Sequence, residues 1–303
     1  MYDIIIIGAG PAGLTSAIYA RMANKKTLVL EKNYIGGQTA NIYDIKNYPG
    51  FENISGFELA EKMKLQSKNL GAEFKTAEVK SVNFTEEIKQ VQTFTETLES
   101  KCVIIATGAY AKPLDVKNEK QFYGKGLSYC ATCDGNFFKN KIVAVVGGGN
   151  TSMDDCLYLS NLAQKIYLIH RRDEFTCLDT KLDAVKQIST QDSKIEILTN
   201  TVVTALNGNE LLQSINILNK QTNKTNTLKV DGLFVAIGRM PDTEIFKQQL
   251  KLTTNGFIET NINMETNIKN VYAVGDVRNT PLRQIVTACA DGAVAVNHFI
   301  KQK

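Results

Sequence analysis

The chain of 303 residues has no tryptophan, two histidines and one Cys-x-x-Cys pair, Cys130 and Cys133. Each scarcity removes a class of function. A zinc site draws its four ligands from closely spaced pairs, and neither a second Cys-x-x-Cys nor a nearby histidine is present, since His170 and His298 lie far along the chain. Six cysteines are too few for a secreted disulfide scaffold of this length, and Cys102, Cys156, Cys177 and Cys289 stand alone in sequence. No apolar run approaches the ~18 residues that span a bilayer. The net charge of +4 is mild and the lysines are scattered among acids, so neither a membrane nor nucleic acid is an expected partner. The opening "MYDIIIIGAG" has no cationic n-region or cleavage site, which makes a secretory signal unexpected and a cytoplasmic location the expectation. Without indoles in this chain, a partner's tryptophan fluorescence would be read free of interference.

What is present begins at residue 3. "DIIIIGAGPAGLTSAIYARMANKKTLVLEK" reads as a buried strand, Gly8, Gly10 and Gly13 in G-x-G-x-x-G spacing, a helix, and a strand Thr27 to Leu30 ending on Glu31. The first glycine makes the tight turn, the second admits a pyrophosphate to the backbone, and the third lets helix and strand pack closely. The helix N-terminus then faces the phosphates. Glu31 suits a free ribose hydroxyl.

The pattern recurs at "KIVAVVGGGNTSMDDCLYLSNLAQKIYLIHRRDEF". Gly147 and Gly149 take the first two positions, Ser152 replaces the third glycine, and a helix to about Ala163 leads to a strand Ile166 to His170. Arg171 and Arg172 stand where the first unit has its acid, and arginine there accommodates a 2′-phosphate that a carboxylate would repel. Two units with opposite charge at this point imply two dinucleotides, one without a 2′-phosphate, such as FAD, and NADPH.

Three further strands end in glycine turns, "VIIATGAY", "LFVAIGRMP" and "VYAVGDV". The first two close the segments opened by the two fingerprints, and Lys112-Pro113 and Met240-Pro241 mark stiff crossovers just beyond them. The remaining tail is short for an independent domain. The expected fold is therefore α/β, with two Rossmann-like three-layer dinucleotide-binding domains, the second inserted into the first. Residues 1–112 and 242–303 would form a discontinuous FAD domain, and residues 113–241 an NADPH domain carrying the Cys-x-x-Cys pair.

"YCATCDG" just upstream of "GGGNTSMDD", together with "HRRDEF", "GGQ", "NYPGF", "ATGA", "VGDV" and "RQIVTACADG", resembles the low-molecular-weight thioredoxin reductases over essentially the whole length. The resemblance implies that Glu31, Gly36, Gly37, Gln38, Asn47, Asp276, Arg283, Gln284 and Ile285 contact FAD. It adds Pro11, Ala12, Ala106, Gly108 and Gly275 on the flavin side, and Asn150, Thr151 and His170 beside Gly147, Gly149, Arg171 and Arg172 on the NADPH side. Two positions depart from the family's pattern: Thr176 stands where a third arginine is common, and Ser152 where alanine is usual.

A structural role for the cysteine pair is disfavoured, because closing a loop over two residues removes little unfolded-chain entropy. A reversible dithiol remains, with a flavin as intermediary between a hydride donor and thiols. Electrons would pass from NADPH through FAD and Cys130/Cys133 to the disulfide of thioredoxin. By the resemblance, Cys133 faces the flavin and Asp134 is the acid for the departing thiol; Asp134 also reads as an Asp-Gly turn residue that orients the loop. The family is usually homodimeric and rotates its inserted domain between half-reactions. Alternatives are a reductase for another carrier, one fed by NADH, or a non-catalytic redox sensor.

Overall fold

In the computed structural model, which describes residues 1–42 and 44–302, the N-terminal isoleucine run forms a strand covered on both faces. Successive side chains of a strand point to opposite sides. Ile4 and Ile6 accordingly join one core cluster with Leu14, Ala17 and Val296, while Ile5 and Ile7 join another with Phe84, Val91 and Phe246. Burying such a side chain contributes roughly 1.5–3 kcal/mol. A strand with no polar face can only be internal.

The chain divides into two compact units, Met1–Tyr110 with Met240–Lys303, and Ala111–Arg239. The first unit opens with β1 (Tyr2–Ile7), α1 (Pro11–Met22), β2 (Thr27–Glu31), α2 (Gly56–Asn69), β3 (Glu73–Thr76), β4 (Val79–Asn83), β5 (Lys89–Thr93), β6 (Thr97–Ile105) and β7 (Ala109–Ala111). The second holds α3 (Glu119–Phe122), β8 (Leu127–Ser128), α4 (Ala131–Asp134), β9 (Ile142–Val146), α5 (Asn150–Ser160), β10 (Lys165–Ile169) and α6 (Asp179–Asp192). It continues with β11 (Ile195–Leu198), β12 (Thr201–Gly208), β13 (Leu212–Asn219), β14 (Thr225–Lys229) and β15 (Gly232–Val235). β16 (Arg239–Pro241), β17 (Val271–Ala273) and α7 (Ile285–Lys301) complete the chain.

The first sheet runs β3-β2-β1-β6-β5-β4, with β17 also on β6. β6 serves both kinds of neighbour because it is long: Thr97 to Ser100 pair antiparallel with β5, and Val103 to Ile105 pair parallel with β17. α1 and α7 cover one face. They approach closely at Gly292, where a Cβ would come within 2.4 Å of the Ala12 carbonyl oxygen.

The second sheet is fully parallel in the order β11-β10-β9-β15-β8. Val143 and Val145 of β9 face α5 and α6 through Met153, Leu159 and Val185, while Ala144 and Val146 face the antiparallel meander β12-β13-β14 through Leu206 and Ile215. Each unit is thus three layers deep: helices, a largely parallel sheet, and an antiparallel cover. α5 stops at Ser160, three residues short of the sequence expectation, although the Leu159 carbonyl still accepts from Ala163 N–H at 2.8 Å. The unit boundaries fall inside β7 and β16, which pair as a ribbon, rather than at Pro113 and Pro241 themselves.

Candidate active site

In the first unit the sequence-predicted residues converge at the C-terminal ends of the parallel strands. Gly8 has φ +107°, and a Cβ there would lie 2.3 Å from the Ala106 carbonyl oxygen; one on Gly13 would lie 2.0 Å from that of Gly8. At Gly10 and Gly108 nothing would meet a Cβ within 4 Å. The turn is therefore closed toward the protein and open in front of α1, whose first-turn N–H groups have no side-chain cap. Pro11 and Ala12 begin that helix. Glu31 ends β2 with one carboxylate oxygen accepting from Ala9 N–H at 2.8 Å and the other from Asn33 N–H at 2.9 Å. Its position is locked by the backbone, and each oxygen keeps a lone pair for a hydroxyl. Beside it lies a cavity of about 120 Å³ lined by Gly8, Glu31, Ala77, Glu78 and Thr107. Lys32 and Asp242 form an ion pair at 2.6 Å on its wall.

The loop of Gly36, Gly37 and Gln38 folds over this turn. Gly36 N–H donates to the Ala9 carbonyl at 2.8 Å, a Cβ on Gly37 would sit 3.4 Å from Gly10 Cα, and the Gln38 amide donates to the Ala109 carbonyl. Asn47 donates to the Gln284 side chain at 3.0 Å. Gln284 caps α7, whose first residue is Ile285. Gly275 N–H is held by Asp291 at 3.0 Å, and Asp276 follows in a short 3-10 turn. Arg283 lies 4.2 Å over the Phe257 ring and donates to the Asp276 carbonyl at 3.5 Å.

The second unit repeats the device. A Cβ on Gly147 would lie 2.4 Å from the Ala236 carbonyl oxygen, and Gly149 precedes α5 without a side-chain cap. Ser152 is fully buried and returns its hydroxyl to the Gly149 carbonyl at 2.8 Å. The basic loop is laced onto the glycine turn. Thr176 N–H and hydroxyl both donate to the Gly148 carbonyl, at 2.7 and 3.2 Å, and Leu178 N–H donates to the Asn150 side chain at 2.9 Å. His170 is turned inward: its ring fills the space beside Gly148, stacks on Phe175 with centroids 4.8 Å apart, and bonds the Glu174 carbonyl at 3.0 Å. Burial, joined by the charges of Arg171 and Arg172, holds it below the usual histidine range against the pull of that carbonyl. His170 props the loop from within, while Arg171 and Arg172 are both exposed, with Thr151 exposed at the start of α5. Farther along α5, burial first and the neighbouring Asp154 second push Asp155 up to about 7, opposed by Arg239.

Cys130 and Cys133 form a disulfide across α4, with Cα atoms 5.3 Å apart. Both are half-buried, and Thr132 between them is exposed. The Cys130 carbonyl accepts from the N–H groups of Cys133 and Asp134 at 3.2 and 3.1 Å. Burial raises the Asp134 carboxyl above its ordinary range, and a hydrogen bond from Ser128 opposes that rise. Among the described residues no cluster of histidine, cysteine and acid side chains could hold a metal.

Two glycine-turn cradles and a closed Cys-x-x-Cys in one chain call for comparison with known proteins. The family model described as pyridine nucleotide-disulphide oxidoreductase matches residues 2–292. The thioredoxin reductase of Bacillus subtilis is 40% identical over all of this chain and 96% of its own length. The chain belongs to this family, among its thioredoxin reductases. A thioredoxin reductase structure from Streptococcus pyogenes superposes with a TM-score of 0.90 at 36% identity, covering 99% of this chain and 98% of that one. The Lactococcus lactis thioredoxin reductase in its FR conformation, with the same identity and coverage, gives 0.70.

The family uses FAD and NADPH, and the residues present fit both. The open turn at Gly10, the uncapped N-terminus of α1 and the locked Glu31 suit a dinucleotide with a free ribose. The open face at Gly149 and the paired guanidiniums suit one with a 2′-phosphate. Ser128 and the cavity wall from Ala77 and Asp242 carry no motif, and only the folded chain brings them to these places. Replacing Arg171 and Arg172 together by glutamine should raise KM for NADPH about tenfold or more and leave KM for NADH within about twofold. Parallel steady-state assays decide; equal effects on both would make the arginines structural.

Proposed function

We propose that this chain reduces the disulfide of thioredoxin at the expense of NADPH, acting as a cytoplasmic homodimer. The observation that carries the reading is the Cys130–Cys133 disulfide on a half-exposed turn, one residue before the half-buried carboxyl of Asp134, in the same unit as the arginine-bearing cradle. Bound FAD supplies the conversion of a hydride's two electrons into the reduction of a disulfide. The first unit would hold it with Gly8, Gly10, Gly13, Glu31, the Gly36–Gln38 loop, Asn47 and Gln284.

The remaining work falls to side chains of the second unit. Arg171 and Arg172 would bind the 2′-phosphate, and His170 and Thr176 hold their loop in place. Of the reduced pair, one thiolate attacks the substrate disulfide and the other resolves the mixed disulfide, with Asp134 carrying protons between sulfurs. Exposed Phe137 and Tyr123 flank this turn in sequence and offer apolar contact to a protein substrate.

The dithiol precedes Gly147 by few residues and belongs to the NADPH unit, whereas the flavin cradle belongs to the other. Nicotinamide and disulfide, both on the second unit, would each need access to the flavin held by the first. We infer a rotation of the inserted unit about β7 and β16 between half-reactions. For the homodimer, support comes from the groove of about 480 Å³ between α1, α2 and α7, rimmed by exposed Tyr19, Phe51 and Val286. Sedimentation decides that state. No helix among the described residues is long and apolar enough to cross a membrane.

Cys130→Ser and Cys133→Ser should each retain flavin and its bleaching by NADPH while losing thioredoxin turnover by about a thousandfold or more. Substantial turnover by either variant removes the dithiol from the mechanism. A reducible crosslink that freezes one orientation of the units should stop turnover and release it on cleavage. A fully crosslinked enzyme working at the free rate would mean that no rotation is needed.

A further inference from the structure

Ser128 ends β8, two residues before the first cysteine, and is 4% exposed. Its hydroxyl joins the backbone of the dithiol turn to its carboxyl. Cys130 N–H donates to Ser128 Oγ at 3.1 Å, and Ser128 O–H lies 2.5 Å from Asp134 Oδ2. The Cys130 carbonyl, at 3.3 Å, is a second acceptor within reach, but it already receives the N–H groups of Cys133 and Asp134. A hydroxyl has one proton to give, and the closer, charged acceptor holds it.

We propose that Ser128 is a positioning residue for thiol–disulfide exchange: its hydroxyl tethers the Asp134 carboxylate to the backbone of Cys130 and sets how readily that carboxylate takes and returns a proton. The inference rests on the reading of Asp134 as the proton carrier. In the reduced enzyme the attacking thiol gives its proton to Asp134. Its sulfur bonds to one sulfur of the substrate disulfide, the substrate S–S bond breaks, and the departing substrate thiolate takes the proton from Asp134. The second enzyme thiol then passes its proton to Asp134 and attacks the mixed disulfide. The enzyme disulfide closes, and the last substrate thiolate leaves with that proton. Two electrons and two protons have moved, and Asp134 ends as it began.

The surroundings leave Ser128 as the decisive neighbour. Burial raises Asp134 and the serine bond opposes it. Among the described residues, the titratable groups beside the turn are Cys130 at the N-cap of α4, Cys133 within it, and Tyr158 of α5, which lies against Gly135. Tyr129 gives its hydroxyl to Glu119 of α3 at 2.5 Å, and on α5 Asp154 is paired with Lys181 at 2.6 Å while Asp155 answers to Arg239. Removing the hydroxyl leaves burial unopposed, so Asp134 keeps its proton to higher pH. Because the carboxylate form must accept the thiol proton, the acidic limb of the rate profile moves upward.

The test uses the flavin-loaded enzyme with NADPH and oxidised thioredoxin, recording kcat against pH and, separately, flavin bleaching by NADPH. Ser128→Ala should shift the acidic limb up by about one pH unit, lowering kcat about tenfold below the limb while the plateau rates converge. Flavin bleaching should not change. Ser128→Cys, nearly isosteric but a weaker donor, should shift the limb the same way by less, and it decides the matter if the alanine variant does not hold flavin. A uniform loss at every pH with the limb in place, or no change, would overturn the proposal. Asp134→Asn separates the two layers. If it keeps the wild-type rate and limb, the reading of Asp134 fails and the inference goes with it; if it is slow while the serine variants leave the limb unmoved, the inference about Ser128 alone fails.

Discussion

Backbone pressed against backbone, with no room for a side chain between, is the contact on which both halves of this protein depend. After β1 the chain turns at Gly8 against the carbonyl of Ala106, and after β9 it turns at Gly147 against that of Ala236. Ala106 N–H and Ala236 N–H each bond back to the last residue of the paired strand, at 2.8 Å. The same strand pair, β1 with β6 or β9 with β15, lies where strand order reverses, so the following helix points its uncapped end into the crevice between diverging connections. Everything chemical is placed relative to that crevice.

The two cradles then differ where their ligands must. Gly13 has no space for a Cβ beneath the first turn, whereas in the second unit Ser152 occupies the matching position and spends its hydroxyl on the helix backbone. One strand ends in a carboxylate locked by two N–H groups. The other leads into a loop whose arginines are held out by an inward histidine and a threonine strapped to the glycine turn. The dithiol lies in the arginine-bearing unit, apart from the unit with the carboxylate-bearing cradle.

Much of this was legible in the sequence because fingerprints are local. A buried strand, a glycine turn and a helix announce themselves within about thirty residues, and Glu31 and Arg171–Arg172 follow from their place at a strand's end. The meander β12-β13-β14 was not legible, since strands such as Thr225–Lys229 are largely exposed and carry no apolar alternation. Nor was Ser128, which sits on a strand of two residues and acquires meaning only when α4 turns Asp134 back toward it. Glu119 is similar: its oxygens gather Leu114 N–H, Asp115 N–H and the Tyr129 hydroxyl from both sides in sequence. His170 is a further case. Its inward-turned ring, packed beside Gly148 and bonded to the Glu174 carbonyl, is a feature of the folded loop that its place in the sequence does not show.

The central claim is that two separate glycine-turn cradles serve two different dinucleotides. Substituting alanine at each turn and following flavin absorbance tests it most directly. Gly8→Ala should yield protein without bound flavin, while Gly147→Ala should remain yellow and be bleached by dithionite but not by NADPH. A Gly8→Ala protein with full flavin, or a Gly147→Ala protein bleached by NADPH at the wild-type rate, would contradict the account.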